Sequence, residues 1–446
     1  MDQQPHRPVA AYAAASLPRY TSYPTAPHFA PMGEPALRGW LAGLRPTDAV
    51  SLYAHIPFSH DLGWYEGCDS TAARNEARFA RYTAALHSEA ALLAEAAPTP
   101  GMVTHLQLGG GTPSALGAGR LAAFVARLRA LFAFSPDAEL AVELDPRTLT
   151  DEVVAALAEA GFTRASLGLQ DANPEVQRAM GRIQPPDLVA GAVARLRKAG
   201  FRGINLDMMY GLPGQTVAHV RATARLACEL GADRVAAVGY GHVPWTKPRH
   251  EPGAAEALPG CDERLRQAAA AEAALRAAGY LPVGLDHFAR PGDAMAEAAR
   301  AGQLRRNFQG YTTDAAPALL GLGCSAIGVL PDGYAQNIPA ERAYVEAVEA
   351  GLLPVARGLA LTAEDRARRC AIERVMCDLA LDLDELDPDV RQAAWPALRA
   401  LEEDGLVRLQ GAWLTVPEEG RRFLRHVAAA FDARRCGAVA RHSAAV

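Results

Sequence analysis

The residues of this 446-residue chain that could do chemistry fall mostly where short apolar runs end. Gly109-Gly110-Gly111-Thr112-Pro113 presents three consecutive positions without a side chain, where a ligand can come up against the backbone or where the chain can simply turn. The string lacks the Lys-Ser/Thr that completes a P-loop and is not a dinucleotide fingerprint. Glu143 and Asp207 are carboxylates suited to holding hydroxyl or amino groups; their other reading is as caps of the helices that follow. Gln170-Asp171 and Tyr240-Gly241-His242 close two further runs.

These positions make sense only if strands and helices alternate. Strand-like runs at Ser51 to Phe58, His105 to Gly109, Glu139 to Asp145, Arg164 to Gln170, Gly203 to Tyr210 and Arg234 to Tyr240 are separated by amphipathic stretches near Asn75 to Ala96, Ala118 to Phe132, Asp151 to Ala160, Pro186 to Ala199 and Val217 to Leu230. A strand and a helix about every thirty residues predict an α/β fold with a parallel sheet, either doubly wound or a partial barrel. In both, ligands gather at the carboxyl ends of the strands. Before the first strand lies a Pro-rich arm centred on Arg19-Tyr20-Thr21-Ser22-Tyr23-Pro24-Thr25, read as ordered chain rather than an element. The last third predicts helices at Thr362 to Leu381 and Val390 to Glu403, a hairpin over Leu406 to Leu414 and a solvated terminal helix from Glu418, an arrangement like a winged helix. The expected division is an arm over 1–47, a barrel with its extension over 48–360 and a mostly helical domain over 361–446.

Composition narrows the partners. Lys plus Arg number 45 and Asp plus Glu 50, a net charge of −5 that gives no overall attraction for nucleic acid. No apolar run reaches the roughly 18 to 20 residues of a bilayer span, and no signal peptide is evident. Seven scattered cysteines fit reduced thiols in a cytoplasmic protein better than a disulfide framework.

Taken together the motifs resemble a known family. Ser51-Leu52-Tyr53-Ala54-His55-Ile56-Pro57-Phe58, Gly109 to Pro113, Glu143-Leu144-Asp145-Pro146-Arg147, Leu167-Gly168-Leu169-Gln170-Asp171, Asn205-Leu206-Asp207, Tyr210-Gly211-Leu212-Pro213, Asp286 to Pro291 and Asn307 to Thr313 are similar to the oxygen-independent coproporphyrinogen III oxidases, radical S-adenosylmethionine enzymes of haem biosynthesis. The arm is what distinguishes that branch from related haem chaperones. The resemblance implies a six-stranded partial (β/α) barrel with a C-terminal helical domain, a monomer, and a tetrapyrrole partner. It implies that Tyr53, Gly110, Glu143 and Ile327 contact one S-adenosylmethionine, and that Tyr65, Gly111, Thr112, Gln170, Arg182, Asp207 and Gly241 line a second site. Arg19, Arg290 and Arg306 fall in or beside the motifs and are candidates for holding substrate carboxylates, or else for structural ion pairs.

The departure is at the metal. In the family, three cysteines in a CxxxCxxC string hold a 4Fe-4S cluster that supplies the electron for cleaving S-adenosylmethionine. The corresponding residues here are Ser59, Gly63 and Glu66. Glycine offers no ligand, and the oxygen donors of serine and glutamate replace soft thiolates poorly. The expectation is a chain that keeps its S-adenosylmethionine and tetrapyrrole pockets but, without the cluster, is inactive alone; its catalytic residues are not identified. The alternative is a non-catalytic haem or porphyrin carrier or regulatory partner.

Overall fold

The computed structural model describes residues 7–59, 71–72, 75–98, 100–243 and 257–435. Alternation decides which way each strand faces. In β1 (Val50–Ile56), Val50, Leu52, Ala54 and Ile56 are buried in the main apolar core with helical residues such as Phe79 and Leu86, which leaves Ser51, Tyr53 and His55 on the other face. The same rule runs through β2 (Val103–Gly110), β3 (Phe134–Leu144), β4 (Arg164–Gln170), β5 (Gly203–Tyr210) and β6 (Arg234–Gly239). All six are parallel and lie side by side in chain order. The apolar face packs on the connecting helices, and the inner face is polar.

The helices begin where the sequence provides a cap. Asn75, Thr150 and Thr216 each accept a hydrogen bond from a first-turn backbone N–H, opening the helices Glu76–Ala96, Asp151–Glu159 and Val217–Glu229. Glu143 and Asp207 therefore cap nothing.

The sheet continues past the six strands to thirteen. On the β1 edge, Ala318–Leu322 runs parallel to β1 and is followed by Ile327–Leu330, Gly333–Asn337, Val355–Ala360 and Ala30–Pro31 in antiparallel pairings. On the β6 edge, His287–Ala289 and Leu281–Val283 are added, also antiparallel. The expected C-terminal helices are Ala363–Asp378 and Pro388–Glu403; the expected hairpin pairs Arg408–Gln410 with Trp413–Thr415 and gains Ala380–Asp382 as a third strand.

Two expectations about the ends are corrected. The arm is not featureless: Arg7–Ala14 and Glu34–Ala42 are helical. Nor is the terminal helix a solvated cap. Leu424, Val427 and Phe431 share a buried core with Leu17, Tyr20 and Tyr23 of the arm, so the two ends of the described chain fold onto each other. Tyr20 Oη donates to Asp432 at 2.9 Å and Arg425 Nε to Pro18 O at 2.8 Å.

One buried carboxylate fixes the strand extension to the barrel. Glu89, on the first long helix, accepts from Gly323 N (2.7 Å), Asn337 Nδ2 (2.6 Å) and Tyr344 Oη (2.6 Å). Burial pushes its pKa up to about 7 against those three donors. Every neighbour offers a proton, so an amide in its place would aim one N–H at another donor. We expect Glu89→Gln to cost about 1–3 kcal/mol in urea unfolding near pH 8, where the carboxylate is charged. The deficit should grow as pH falls through 7, because the folded native chain takes up a proton on Glu89 before the unfolded chain does, a gain that glutamine cannot make.

Candidate functional site

At the carboxyl ends of β1 to β3 the three glycines are required by contact. A Cβ on Gly109 would lie 2.7 Å from Glu143 Oε1, one on Gly110 would lie 2.6 Å from the His55 ring, and one on Gly111 would lie 2.5 Å from Phe58 O. Gly110 also has φ of +110°, which a side chain would strain. Gly111 N and Thr112 N donate to Ile56 O and Phe58 O at 2.8 and 2.6 Å, which fastens this loop to the stretch leading to Ser59. The glycines thus let β2 lie flush against β1 and β3, so that backbone and carboxylate meet: Gly110 N donates to Glu143 Oε2 at 3.1 Å and Gln107 Nε2 to Oε1 at 3.0 Å. Burial raises Glu143 to about 7, with the charge of Asp207 adding to it against the donors. Asp207 is raised by burial too, although Ser166 Oγ (2.8 Å) and Asn205 Nδ2 (2.7 Å) donate to it.

The neighbouring strand end is strained. Gln170 sits at φ +60° without being glycine, at an irregularity in the pairing of β4 with β5. Such a conformation costs on the order of 1–3 kcal/mol and persists where surroundings enforce it. Here Gly168 leaves room for it: a Cβ there would meet Gln170 Nε2 at 2.6 Å and Arg182 Nη2 at 3.0 Å. Arg182 is buried, with Nε donating to Gln184 Oε1 at 3.2 Å and Nη2 at 3.3 Å from Asp145 Oδ1. Burial alone would raise the Asp145 pKa, but Arg147 and Arg182 overrule it and hold the carboxyl below its usual range.

Inside the barrel, a cavity of about 200 Å³ lies between a lower layer, where Arg164 meets Glu139 (2.5 Å) and Asp293 (3.3 Å), and the upper pair Glu143 and Asp207. His287 and Tyr311 wall it. The arrangement can bind a cationic or hydroxyl-rich ligand against two buried carboxylates with backbone approach from the glycine loop.

The fold therefore brings together Tyr53, Gly110, Gly111, Thr112 and Glu143 on one side and Gln170, Arg182 and Asp207 on the other. Tyr53 joins through His55, its Oη lying 3.1 Å from His55 Nδ1. Ile327 opens its strand and packs on the same small apolar cluster as Tyr53. Gly241 follows β6 at the same end of the sheet. Tyr65, Gly63 and Glu66 lie outside the described residues. Ser59 is described: it is buried at the end of Phe58–Ser59, which pairs with Thr71–Ala72. Of the expected carboxylate-binding arginines, Arg19 and Arg306 reach this end of the sheet, where Arg19 Nη2 donates to Gly239 O at 3.0 Å and Arg306 Nη2 to Arg19 O at 3.1 Å. Arg290 does not. Its N–H donates to Asp233 O, before the start of β6, and its guanidinium lies over the Tyr280 ring at the opposite end.

Residues 69–227 match the Radical SAM superfamily and residues 361–423 the HemN C-terminal domain. The chain is 45% identical over 429 residues to the oxygen-independent coproporphyrinogen III oxidase of Bradyrhizobium diazoefficiens, covering 95% of each. The chain belongs to the oxygen-independent coproporphyrinogen III oxidase family. The corresponding enzyme of Paracoccus denitrificans is 40% identical with 97% of each chain covered. A solved structure of this family, the Escherichia coli coproporphyrinogen III oxidase described as a radical SAM enzyme, superposes with a TM-score of 0.88 at 36% identity, covering 93% of this chain and 97% of that one. The fold is thus the radical SAM α/β fold with a mostly helical C-terminal domain.

The family's oxidases imply S-adenosylmethionine and a 4Fe-4S cluster. The buried carboxylates, the glycine contacts and the strained Gln170 fit the former. For the cluster, Ser59, Gly63 and Glu66, the residues read above at its ligand positions, carry no thiol. Cys324 is buried with Sγ 3.6 Å from Tyr82 Oη, and Cys228, Cys261, Cys370 and Cys377 are the other described thiols. No described helix is long and apolar enough to cross a membrane.

Sequence reasoning missed Arg264 and Arg425, which also turn toward the ends of β5 and β6. Arg264 sits among the charged neighbours Asp262, Glu263 and Arg266, and Arg425 in the terminal helix expected to be solvated, so neither stands out by type or spacing.

Proposed function

We propose that this chain binds S-adenosylmethionine and the tetrapyrrole of its family's reaction, but does not by itself assemble the 4Fe-4S cluster and so does not carry out the oxidative decarboxylation alone. The observation behind the reading is one contrast. The glycine loop, Glu143, Gln170, Arg182 and Asp207 form a contiguous, close-fitting cradle, while the three positions that would bear the cluster's thiolates are serine, glycine and glutamate. A hydroxyl stays protonated near neutrality and a carboxylate is a hard donor, so neither holds a soft iron–sulfur unit as a thiolate does. The chain's own contribution is then to bind and orient: Glu143 and Asp207 present acceptors to amino or hydroxyl groups, and the backbone at Gly110 and Gly111 lets the ligand approach.

The test is calorimetric titration of the purified chain with S-adenosylmethionine, before and after anaerobic incubation with iron and sulfide. Saturable binding in both states, without stoichiometric iron, is expected. Absence of binding would overturn the first half of the reading; a full cluster in the unaltered chain would overturn the second and restore an ordinary oxidase.

A further inference from the structure

The stretch Asp286 to Pro291 holds a pair of side chains that the cradle does not use. Alternation in the strand His287–Ala289 sends Phe288 into the main apolar core and turns His287 to the inner face of the barrel. Register fixes what it faces. Asp207 on β5 pairs with Ala236 on β6, and Ala236 pairs with His287, so the three stand in one row across adjacent strands. With strands about 4.8 Å apart, the backbones of Asp207 and His287 are roughly 10 Å from each other, and only the methyl group of Ala236 stands between them. Both end residues wall the cavity of about 200 Å³ inside the barrel.

The imidazole is held in one orientation. Its Nδ1–H donates to Asp286 Oδ1 at 2.7 Å, and its ring meets that of Tyr311 edge to face, with centroids 5.3 Å apart. Tyr311 is itself pinned, its Oη donating to Met376 O and accepting from Leu285 N, each at 2.9 Å. Burial alone would raise the Asp286 pKa, but the bond and charge of His287, with Arg306 and Arg19 behind it, hold the carboxyl well below its usual range. An ionised Asp286 accepts and cannot donate, so the neutral ring carries its proton on Nδ1 and its lone pair on Nε2. Nε2 has no hydrogen-bond partner among the described residues. At the other end of the row, Ser166 Oγ and Asn205 Nδ2 donate to Asp207 at 2.8 and 2.7 Å, which fixes the carboxylate and leaves it lone pairs to spare.

We propose that His287 Nε2 and Asp207 accept hydrogen bonds from one ligand seated over Ala236, which makes His287 a binding residue of the barrel cavity. Two fixed acceptors on either side of a gap require a ligand with O–H or N–H groups directed to both sides. Two molecules of the reading above supply them: S-adenosylmethionine through its sugar hydroxyls and amino groups, the tetrapyrrole through its pyrrole N–H groups. The ligand's identity therefore rests on that reading, whereas the pair itself rests on strand register.

Calorimetric titration at pH 8 under argon, with S-adenosylmethionine and separately with coproporphyrinogen III, tests the pair in the full chain and in three variants. His287→Asn keeps a donor for Asp286 and withdraws the atom facing the cavity. His287→Gln restores an acceptor at the reach of Nε2. Ala236→Val fills the gap and leaves the polar pair in place, so it keeps the test open where replacing His287 upsets folding. We expect His287→Asn to bind one of the two ligands about tenfold more weakly and the other as before, His287→Gln to recover part of the loss, and Ala236→Val to weaken the same ligand. The ligand that weakens is the source of the donor groups. Unchanged affinity for both in a His287→Asn chain that unfolds at the parent temperature would overturn the proposal, since only water would then meet the imidazole, and would leave the family reading intact. Equal loss for both ligands, no recovery in His287→Gln, or an Ala236→Val chain that binds like the parent would each overturn it too. Failure of the unaltered chain to bind either ligand would take down the reading on which the ligand's identity depends, and this proposal with it.

Discussion

A chain carrying Ser59→Cys, Gly63→Cys and Glu66→Cys together is expected to take up about four irons after anaerobic reconstitution, whereas the unaltered chain takes up none in stoichiometric amount. What remains around the ligand positions matters as much as what is missing. Ser59 is already buried at the end of a short strand paired to Thr71–Ala72, so a sulfur replacing its hydroxyl oxygen would occupy a fixed position. Behind it, Gly111 and Thr112 bond the backbone at Ile56 and Phe58, and the Phe58 ring packs between Phe79 and Tyr82 with centroids 4.8 and 5.1 Å away. The backbone leading to Ser59 is therefore firmly held, and the change needed is in ligand chemistry. Iron analysis and Mössbauer spectroscopy read the result directly. A triple variant that stays free of iron would show that more than the ligands has been lost, with Asp61 and Trp64 next to be replaced.

How much of this was legible beforehand depends on the length of the pattern. β1 reads as a strand because Val50-Ser51-Leu52-Tyr53-Ala54-His55-Ile56 alternates over seven residues, and the helices after it start within a residue or two of expectation because Asn75, Thr150 and Thr216 are side chains that cap. The added strands are mostly two to five residues long, too short for a period of two to stand out, and their pairing is decided by tertiary packing. That the glycine string, Glu143, Gln170 and Asp207 meet at one end of the sheet was legible through motif resemblance, and contact distances then gave the physical reason for each glycine. Arg290 shows how a motif can mislead. It lies in the same string as Asp286, but the intervening strand His287–Ala289 runs antiparallel to β6 and advances about 3.4 Å per residue, carrying Arg290 roughly 10 Å toward the opposite end. The convergence of Arg264 and Arg425 was not legible at all, since 160 residues separate them and neither helix pattern says which arginine turns inward.

The second large effect is a dependence of S-adenosylmethionine affinity on pH. Glu143 is buried and its pKa stands at about 7, so in the free protein it is largely protonated below that value and charged above it. A ligand whose amino group is cationic binds the charged form and must expel the proton when it is present. Between about pH 8 and pH 6, linkage of one such proton weakens binding about tenfold. Stability should move the other way. A carboxyl whose folded pKa is raised above its ordinary 4.5 makes the folded state bind its proton more tightly than the unfolded chain, so its contribution is greatest at low pH and declines as pH rises from 4.5 through 7. Opposite slopes separate this effect from acid unfolding, which would depress both together. Glu143→Gln keeps the shape of the side chain and removes the charge; it should bind weakly at every pH and abolish the slope. If the variant retained the slope, the titrating group would be Asp207, which burial also raises and which Asp207→Asn would then silence.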